Sequence, residues 1–187
     1  NLKKAEPELV ADAVPSVISY SGLEKILRGL LKEGVPIRDL GLILEAIVDA
    51  GPNRDPDIVT EQVRGRLSRT ITRRFCENGQ MRVVTLDAEV EKKILSALTK
   101  NDQGVYLALS PDVMQQIMAQ LGELRKKFQE LSQTPIVLTS QVIRVYLSRM
   151  IAQFYPDIYV LSFSEITSNV QIQAIGNITL QPQKAQS

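Results

Sequence analysis

The stretch Glu77-Asn78-Gly79-Gln80-Met81-Arg82-Val83-Val84-Thr85-Leu86 divides the sequence into two parts that differ in the spacing of their apolar residues. Before it, apolar residues recur every three to four positions, as on the buried face of a helix. After it, short runs rich in β-branched residues alternate with helical patterns, which is typical of strands joined by helices. We therefore predict an α+β protein, with a helical subdomain over residues 1–78 and an α/β subdomain over residues 79–187.

The helical part carries signals for three helices. The first has a capping box at Ser21-Gly22-Leu23-Glu24 and ends before Pro36, because proline disfavours helical geometry in the residue that precedes it. The second ends at Gly51-Pro52. The third begins at Asp55-Pro56, an N-cap residue followed by proline, and its apolar stripe predicts one continuous helix as far as Phe75.

The α/β part carries signals for five strands, separated by two long helical patterns and one short one. We expect them to form a mixed sheet, with the last two strands paired as a terminal β-hairpin across Thr167-Ser168-Asn169. The polar residues from Gln181 to Ser187 are expected to form a disordered tail. The predicted strands are Met81–Leu86, Val105–Leu109, Pro135–Thr139, Ile158–Ile166 and Val170–Leu180.

The composition argues against an enzyme. The chain has no histidine and a single cysteine, Cys76, so neither a histidine-based catalytic triad nor a zinc site of the usual kind can form. Its ten glycines are isolated and form no phosphate-binding loop. A catalytic pair of carboxylates is left open by the many acidic residues, although helix capping and solubility account for most of them. We predict no catalytic residue, no metal and no cofactor.

The sequence also bounds where the protein works. No apolar run approaches the ~20 residues that a membrane-spanning helix needs, so we expect no span within this chain. A chain that begins with Asn1 instead of methionine is interpreted as a fragment of a longer protein. The net charge of +1 argues against a polyanionic partner over the whole surface.

Arginines in the third predicted helix form the sharpest local pattern. On a helix Arg66, Arg69 and Arg73 fall within roughly 60° of one another, and Arg64 and Arg74 lie nearby. Such a stripe is either a solvated face matched by carboxylates of the same chain or a contact for a second molecule. That molecule is an acidic surface of another subunit, which arginine forks suit, or a nucleic acid. Nucleic-acid binding through this helix is therefore the alternative function.

A second charged pattern lies in the second predicted helix. Arg38 and Glu45 are seven residues apart and are expected on one face, away from the apolar stripe. Opposite charges presented in this way suit pairing with another copy of the same surface. A weak ion-pair network at the surface of one molecule explains the pattern equally well.

A family resemblance runs through nearly the whole chain. The segment Leu30–Leu40 with its continuation Ile43-Leu44-Glu45-Ala46-Ile47 resembles the inner-membrane export-gate family of flagellar and virulence type III secretion systems. Further segments also resemble this family, and the likeness is greater to the virulence branch. These further segments are Pro7-Glu8-Leu9-Val10, Val84-Thr85-Leu86-Asp87, the stretch that runs from Pro135–Ser140 to Pro156-Asp157-Ile158, and Leu161–Ile166.

The resemblance implies a function that periodicity does not reveal. Members of this family form homo-oligomeric, nonameric rings at the cytoplasmic face of the bacterial inner membrane. They receive chaperone–substrate complexes, bind other export-apparatus or gatekeeper proteins, and help to order secretion. On this basis the helical part is expected to make the ring contacts and the α/β part to face these partners. The expected interface residues are Arg38, Asp39, Glu45, Arg66, Arg69 and Arg73.

Overall fold

The computed structural model describes residues 7–15 and 17–181, which form two compact units. The helical unit consists of the described residues up to Glu77 together with Ser164–Val170. The α/β unit consists of Asn78–Phe163 and the described residues from Gln171 onward. The predicted subdomains 1–78 and 79–187 stay a prediction. These units differ from them because the short segment Ser164–Val170 belongs with the helices.

Helices of the first unit pack through apolar stripes with the predicted spacing. Ile43, Leu44 and Ile47 lie in its core with Val59 and Val63, all at most 5% exposed. Burying side chains of this size contributes about 1.5–3 kcal/mol each, so burial of these stripes is a large favourable contribution to the folding of the unit. The helices are α1 (Pro7–Ala13), α2 (Tyr20–Lys32), α3 (Leu40–Ala50), α4 (Pro56–Arg66) and α5 (Ser68–Phe75).

The predicted third helix is two helices, which corrects the expectation of a continuous stripe. The chain turns at Leu67, whose N–H bonds to the carbonyls of both Val63 and Arg64. This shared hydrogen bond tightens the last turn of α4, and the Leu67 side chain is buried at the turn. Arg66 therefore ends one helix, while Arg69 and Arg73 lie on the next.

The cap that ends α2 is formed at Gly34, two residues before the predicted stop at Pro36. Gly34 has φ +74°, a left-handed conformation that costs a residue with a Cβ about 1–2 kcal/mol. Beyond it the N–H of Val35 bonds to the carbonyl of Leu30, and both side chains are buried. This hydrogen bond and apolar contact are those of a Schellman cap.

Four parallel strands form the sheet of the α/β unit, in the order β5-β4-β1-β6. A separate antiparallel pair, β2 and β3, completes the strands that the structure describes, and β2 was not predicted. The α+β class is confirmed. The strands are β1 (Gln80–Leu86), β2 (Leu98–Asn101), β3 (Gly104–Leu107), β4 (Ile136–Thr139), β5 (Tyr159–Ser162) and β6 (Gln171–Ile178).

The predicted terminal β-hairpin is wrong. β5 and β6 lie at opposite edges of the sheet, and β6 runs parallel to β1. Parallel strands need a crossover connection, whereas a hairpin joins antiparallel neighbours. The connection begins with a 3₁₀ turn, Phe163–Glu165, and continues through the part of the chain that belongs to the helical unit.

Three helices pack on the sheet around one apolar core. Val84 and Val137 on adjacent strands meet Ile117 and Leu147 from two of these helices, and all four are nearly inaccessible to solvent. Apart from Gln181, the predicted polar tail lies outside the described residues. The helices are α6 (Ala88–Ser96), α7 (Pro111–Glu130) and α8 (Gln141–Ala152).

Two glycines of the α2 region should respond oppositely to alanine. Gly34→Ala should lower the free energy of unfolding by about 1 kcal/mol, because of its positive φ. Gly29→Ala should raise it by about 0.5–1 kcal/mol, because Gly29 lies inside the helix and a Cβ there meets no atom within 4 Å. Urea unfolding of both variants measures the difference. Equal effects would contradict the assigned cap.

Candidate subunit-contact surface

The exposed side of α3 carries the first part of the surface. Leu42, Glu45 and Asp49 fall on one stripe of this helix, since their spacings of three and four residues keep them together. All three are exposed, while Ile43 and Ile47 on the opposite side are buried. The burial of one stripe therefore fixes which charges of α3 face solvent.

Both ends of α3 contact the helices that carry the arginines, α4 and α5. At its end, Asp49 forms an ion pair with Arg66, the last residue of α4. At its start, the N-cap residue Asp39 accepts a hydrogen bond of 3.2 Å from the Thr70 hydroxyl on α5. The acidic residues of α3 and the arginine-bearing helices thus form one surface, within which Arg66 and Asp39 already have partners.

Four charges of this surface have no partner among the described residues. Arg38, Glu45, Arg69 and Arg73 are exposed and make neither a hydrogen bond nor an ion pair there. Arg38 lies before the N-cap of α3, which corrects the expectation that it shares a helix face with Glu45. Arg69 and Arg73 are one turn apart on α5. We call these four residues the free charges.

Arg64 differs from the other arginines because it is wholly buried. Its Nε and Nη2 donate to Oε1 and Oε2 of Glu165, at 2.6 and 2.9 Å, and Glu165 is only 1% exposed. This is the two-pronged geometry in which guanidinium and carboxylate pair best. Within the described residues Nη1 has no hydrogen bond, but it lies 3.7 Å from Oε2 of Glu33.

Thr72 adds a second attachment to the same segment. Its hydroxyl donates to the backbone carbonyl of Glu165 at 3.1 Å and accepts from the N–H of Thr167 at 3.1 Å. Thr72 is buried and lies on α5, on the same helix as Arg69. The segment Ser164–Val170 is therefore held by side chains from α4 and α5, and it contacts α5, which presents two of the free charges.

Sequence reasoning missed the partners of these arginines. The sequence pattern did not single out the carboxylates that two of them meet, since Arg66 pairs with Asp49 and Arg64 with Glu165. The position of Asp49 on the exposed stripe of α3 was a signal in the sequence that it could pair with an arginine. No such signal marked Glu165, because the pattern around it predicted a strand.

Comparison with known proteins assigns the chain to a family. A model of the FHIPEP family matches residues 1–171. The chain belongs to the FHIPEP family. Flagellar biosynthesis protein FlhA of Bacillus subtilis is 35% identical over 182 residues, which are 96% of this chain and 27% of FlhA.

Two solved structures of similar proteins share the fold. CdsV in the complex of Chlamydia pneumoniae CdsV and CdsO has a TM-score of 0.81 and 30% identity, over 95% of this chain and 53% of that one. Nonameric EPEC SctV-C has a TM-score of 0.81 and 29% identity, over 95% and 53%. This chain thus spans about a quarter of FlhA and about half of the solved chains.

These matches confirm the resemblance to the export-gate family. The FHIPEP assignment gives no support to the alternative of a nucleic-acid-binding module. Flagellar FlhA of Bacillus subtilis is 35% identical to this chain and low calcium response locus protein D of Yersinia pestis is 32% identical, so the assignment to the virulence branch stays a prediction. In the part of the chain that the structure describes, no cluster of acidic or cysteine residues could hold a metal ion. None of the helices described there combines the length and the apolar character of a membrane span.

Removal of Glu165 tests the buried pair. Glu165→Ala should lower the free energy of unfolding by about 3–5 kcal/mol, because it leaves the Arg64 guanidinium buried without its carboxylate. Glu123→Ala, which removes an exposed carboxylate, should change it by no more than about 0.5 kcal/mol. Urea unfolding followed by circular dichroism gives both values.

A double variant separates charge from packing. Arg64→Met combined with Glu165→Leu should be less destabilised than Glu165→Ala alone, since no buried charge is left unpaired. A double variant as unstable as the single one would show that packing, and not charge pairing, dominates at this position.

Proposed function

We propose that this chain is a ring-forming part of the cytoplasmic platform of a protein-export apparatus, and that it works by binding proteins and not by catalysis. The observation that carries the proposal is the set of free charges on the helical unit. Charged side chains held on a rigid, well-packed scaffold suit a contact with another protein surface. The family and its nonameric relative support a ring.

The free charges suit contact between copies of the chain. A closed ring uses heterologous contacts, in which one patch meets a different patch of the next copy. The surface offers two such patches, the acidic Glu45 on α3 and the basic pair Arg69 and Arg73 on α5. We propose that Glu45 of one copy lies near Arg69 and Arg73 of its neighbour, with Arg38, Asp39 and Arg66 at the margin of the contact.

We expect this contact to be weak, because it consists of exposed ion pairs. Each pair contributes about 0.2–1 kcal/mol and is weakened by salt. A single contact of this kind does not hold two free molecules together at micromolar concentration. The isolated chain should therefore be monomeric, and the ring should depend on the rest of the longer protein, which we place at the cytoplasmic face of the bacterial inner membrane.

The α/β unit is the proposed docking part. It would receive chaperone–substrate complexes and bind other export-apparatus or gatekeeper proteins. The complex of the similar CdsV with CdsO supports a role in binding a second protein. Catalysis and cofactor binding form no part of this proposal.

Charge reversal at Arg69 tests the ring contact. Arg69→Glu, introduced into the full-length protein in cells, should abolish secretion because it places like charges together at every contact of the ring. The circular dichroism spectrum of the isolated variant chain should match that of the unchanged protein, since Arg69 is exposed and has no partner among the described residues. Lys100→Glu reverses an exposed charge on β2 and should leave secretion intact.

A compensating change identifies the partner patch. Glu45→Arg should impair secretion alone and should restore part of it when combined with Arg69→Glu, because the pair is then reversed as a whole. Normal secretion from Arg69→Glu would contradict the role of the basic patch. Failure of the double variant to recover would contradict the pairing with Glu45.

A further inference from the structure

The last strand of the sheet has an open edge. β6 pairs with β1 on one side, and among the described residues no strand pairs with its other side. Its first four residues, Gln171–Ala174, are exposed on both faces of the sheet. Such an edge presents a row of unpaired backbone groups to other chains.

The register shows which backbone groups point outward. The N–H of Gln171 donates to the Gly79 carbonyl, so the backbone of Gln171 faces β1. Because successive residues of a strand direct their N–H and C=O groups to alternate sides, Gln173 also faces β1 while Ile172 and Ala174 face away. Within the described residues no hydrogen bond reaches the outward groups of Ile172 and Ala174.

The usual protection of an edge strand is missing from this part of β6. From Asn169 to Gln181 the sequence contains no charged residue and no proline. Proteins commonly place lysine, proline or a covering element where an edge must not pair. The one irregularity is an extra residue, Ile175, and it follows the open part of the strand.

By contrast, α7 covers the chain where β6 ends. The Gln120 side-chain amide donates to the Thr179 carbonyl at 2.7 Å and accepts from its N–H at 3.0 Å, as a neighbouring strand would. Gln116 accepts from the N–H of Gln181 at 2.9 Å. Gly176 also lies against α7, since a Cβ there would collide with Leu124. No such contact reaches Gln171–Ala174 among the described residues.

We propose that this open edge of β6 binds an extended, weakly charged segment of a client polypeptide as an additional β-strand. The inference rests on the proposed docking role of the α/β unit. Its four open residues span about 13 Å, room for a short strand held at Ile172 and Ala174. Backbone pairing recognises an extended conformation more than a particular sequence. This suits a platform that receives many different proteins.

Charge and symmetry favour a client over a second copy of the chain. The uncharged edge and the half-exposed Ile172 match a segment with few charges and with apolar residues at alternate positions. Pairing of β6 with β6 of another copy would be isologous and would stop at two copies. It therefore cannot supply the repeated contact of a ring like that of nonameric EPEC SctV-C.

The test uses a defined probe with the 187-residue chain. The probe is a fluorescein-labelled, end-capped peptide of alternating threonine and valine, with one lysine at each end for solubility. Binding is measured by fluorescence anisotropy, and amide hydrogen exchange is measured by NMR. With saturating probe, exchange at Ile172 and Ala174 should slow at least tenfold, while Gln171 and Gln173 should be protected with and without it.

Two further versions of the probe carry N-methyl groups, one on alternate residues and the other on every residue. Edge pairing uses only one of the two alternating sets of peptide N–H groups, so methylation of alternate residues leaves one edge of the peptide able to pair, whereas methylation of every residue leaves none. The version methylated on alternate residues should bind within threefold of the unmodified probe, and the version methylated on every residue should bind at least tenfold more weakly. Equal binding by both versions and the unmodified probe would overturn the proposal without any change to the protein.

A matched pair of protein variants completes the test. Ile172→Pro removes the outward N–H and should weaken probe binding at least tenfold, without loss of a hydrogen bond to β1. Ile172→Thr keeps the N–H and a β-branched side chain and should bind within threefold of the unchanged chain. Protection of Gln171 and Gln173 confirms that β6 still forms in both variants.

Other outcomes separate this inference from the ring proposal. If protection of the Ile172 and Ala174 amides from exchange rises with protein concentration in the absence of probe, the occupant of the edge is a second copy of the chain. That result would overturn the proposed binding of a client segment. Absence of probe binding would also overturn it. If Arg69→Glu still abolished secretion, the proposed ring function would stand by itself.

Discussion

The ion pair between Arg64 and Glu165 is the constraint on which the path of the chain depends. Both groups are buried away from water, so either charge would be strongly destabilising without the other. Removal of one partner of such a pair lowers the free energy of unfolding by about 3–5 kcal/mol. That is a large fraction of the 5–15 kcal/mol by which a domain is typically stable. The segment after β5 is therefore fixed in the helical unit, and the chain enters β6 as a crossover strand and not as the return arm of a hairpin.

The arginines of α4 and α5 show what periodicity does and does not predict. Spacing predicted a shared stripe for Arg66, Arg69 and Arg73, and all three are exposed. It could not predict that Arg64 is buried, because its partner lies 101 residues away in sequence. Nor could the spacing show that Arg66 forms an ion pair with Asp49, whereas Arg69 has no partner among the described residues. Pairing depends on which helices meet, and this information is not contained in the pattern of one helix.

The fold, too, was predictable where it depends on local pattern and not where it depends on which elements meet. Helices with strong apolar stripes and good N-cap signals were predicted close to their observed positions, such as α4, whose predicted start at Asp55-Pro56 is the observed one. The break at Leu67 was missed because a buried residue at a turn fits the helical spacing as well as one within a helix. β2 was missed because its four residues are largely exposed and only its pairing with β3 marks it as a strand. The predicted hairpin failed because alternation identifies strands but not their neighbours.

The binding roles proposed for the free charges and for the open edge of β6 differ in their physics, which suits them to different tasks. Exposed ion pairs are individually weak and salt-sensitive, but in a ring they recur at every contact, so their free energies add around the closed assembly. An edge strand acts singly, and its backbone groups recognise conformation more than sequence. A surface of the first kind selects identical copies, because two fixed charge patterns must match. A surface of the second kind accepts unlike segments, because every polypeptide carries the same backbone. On the two proposals together, one chain would assemble with itself through one surface and keep the other free for varied partners.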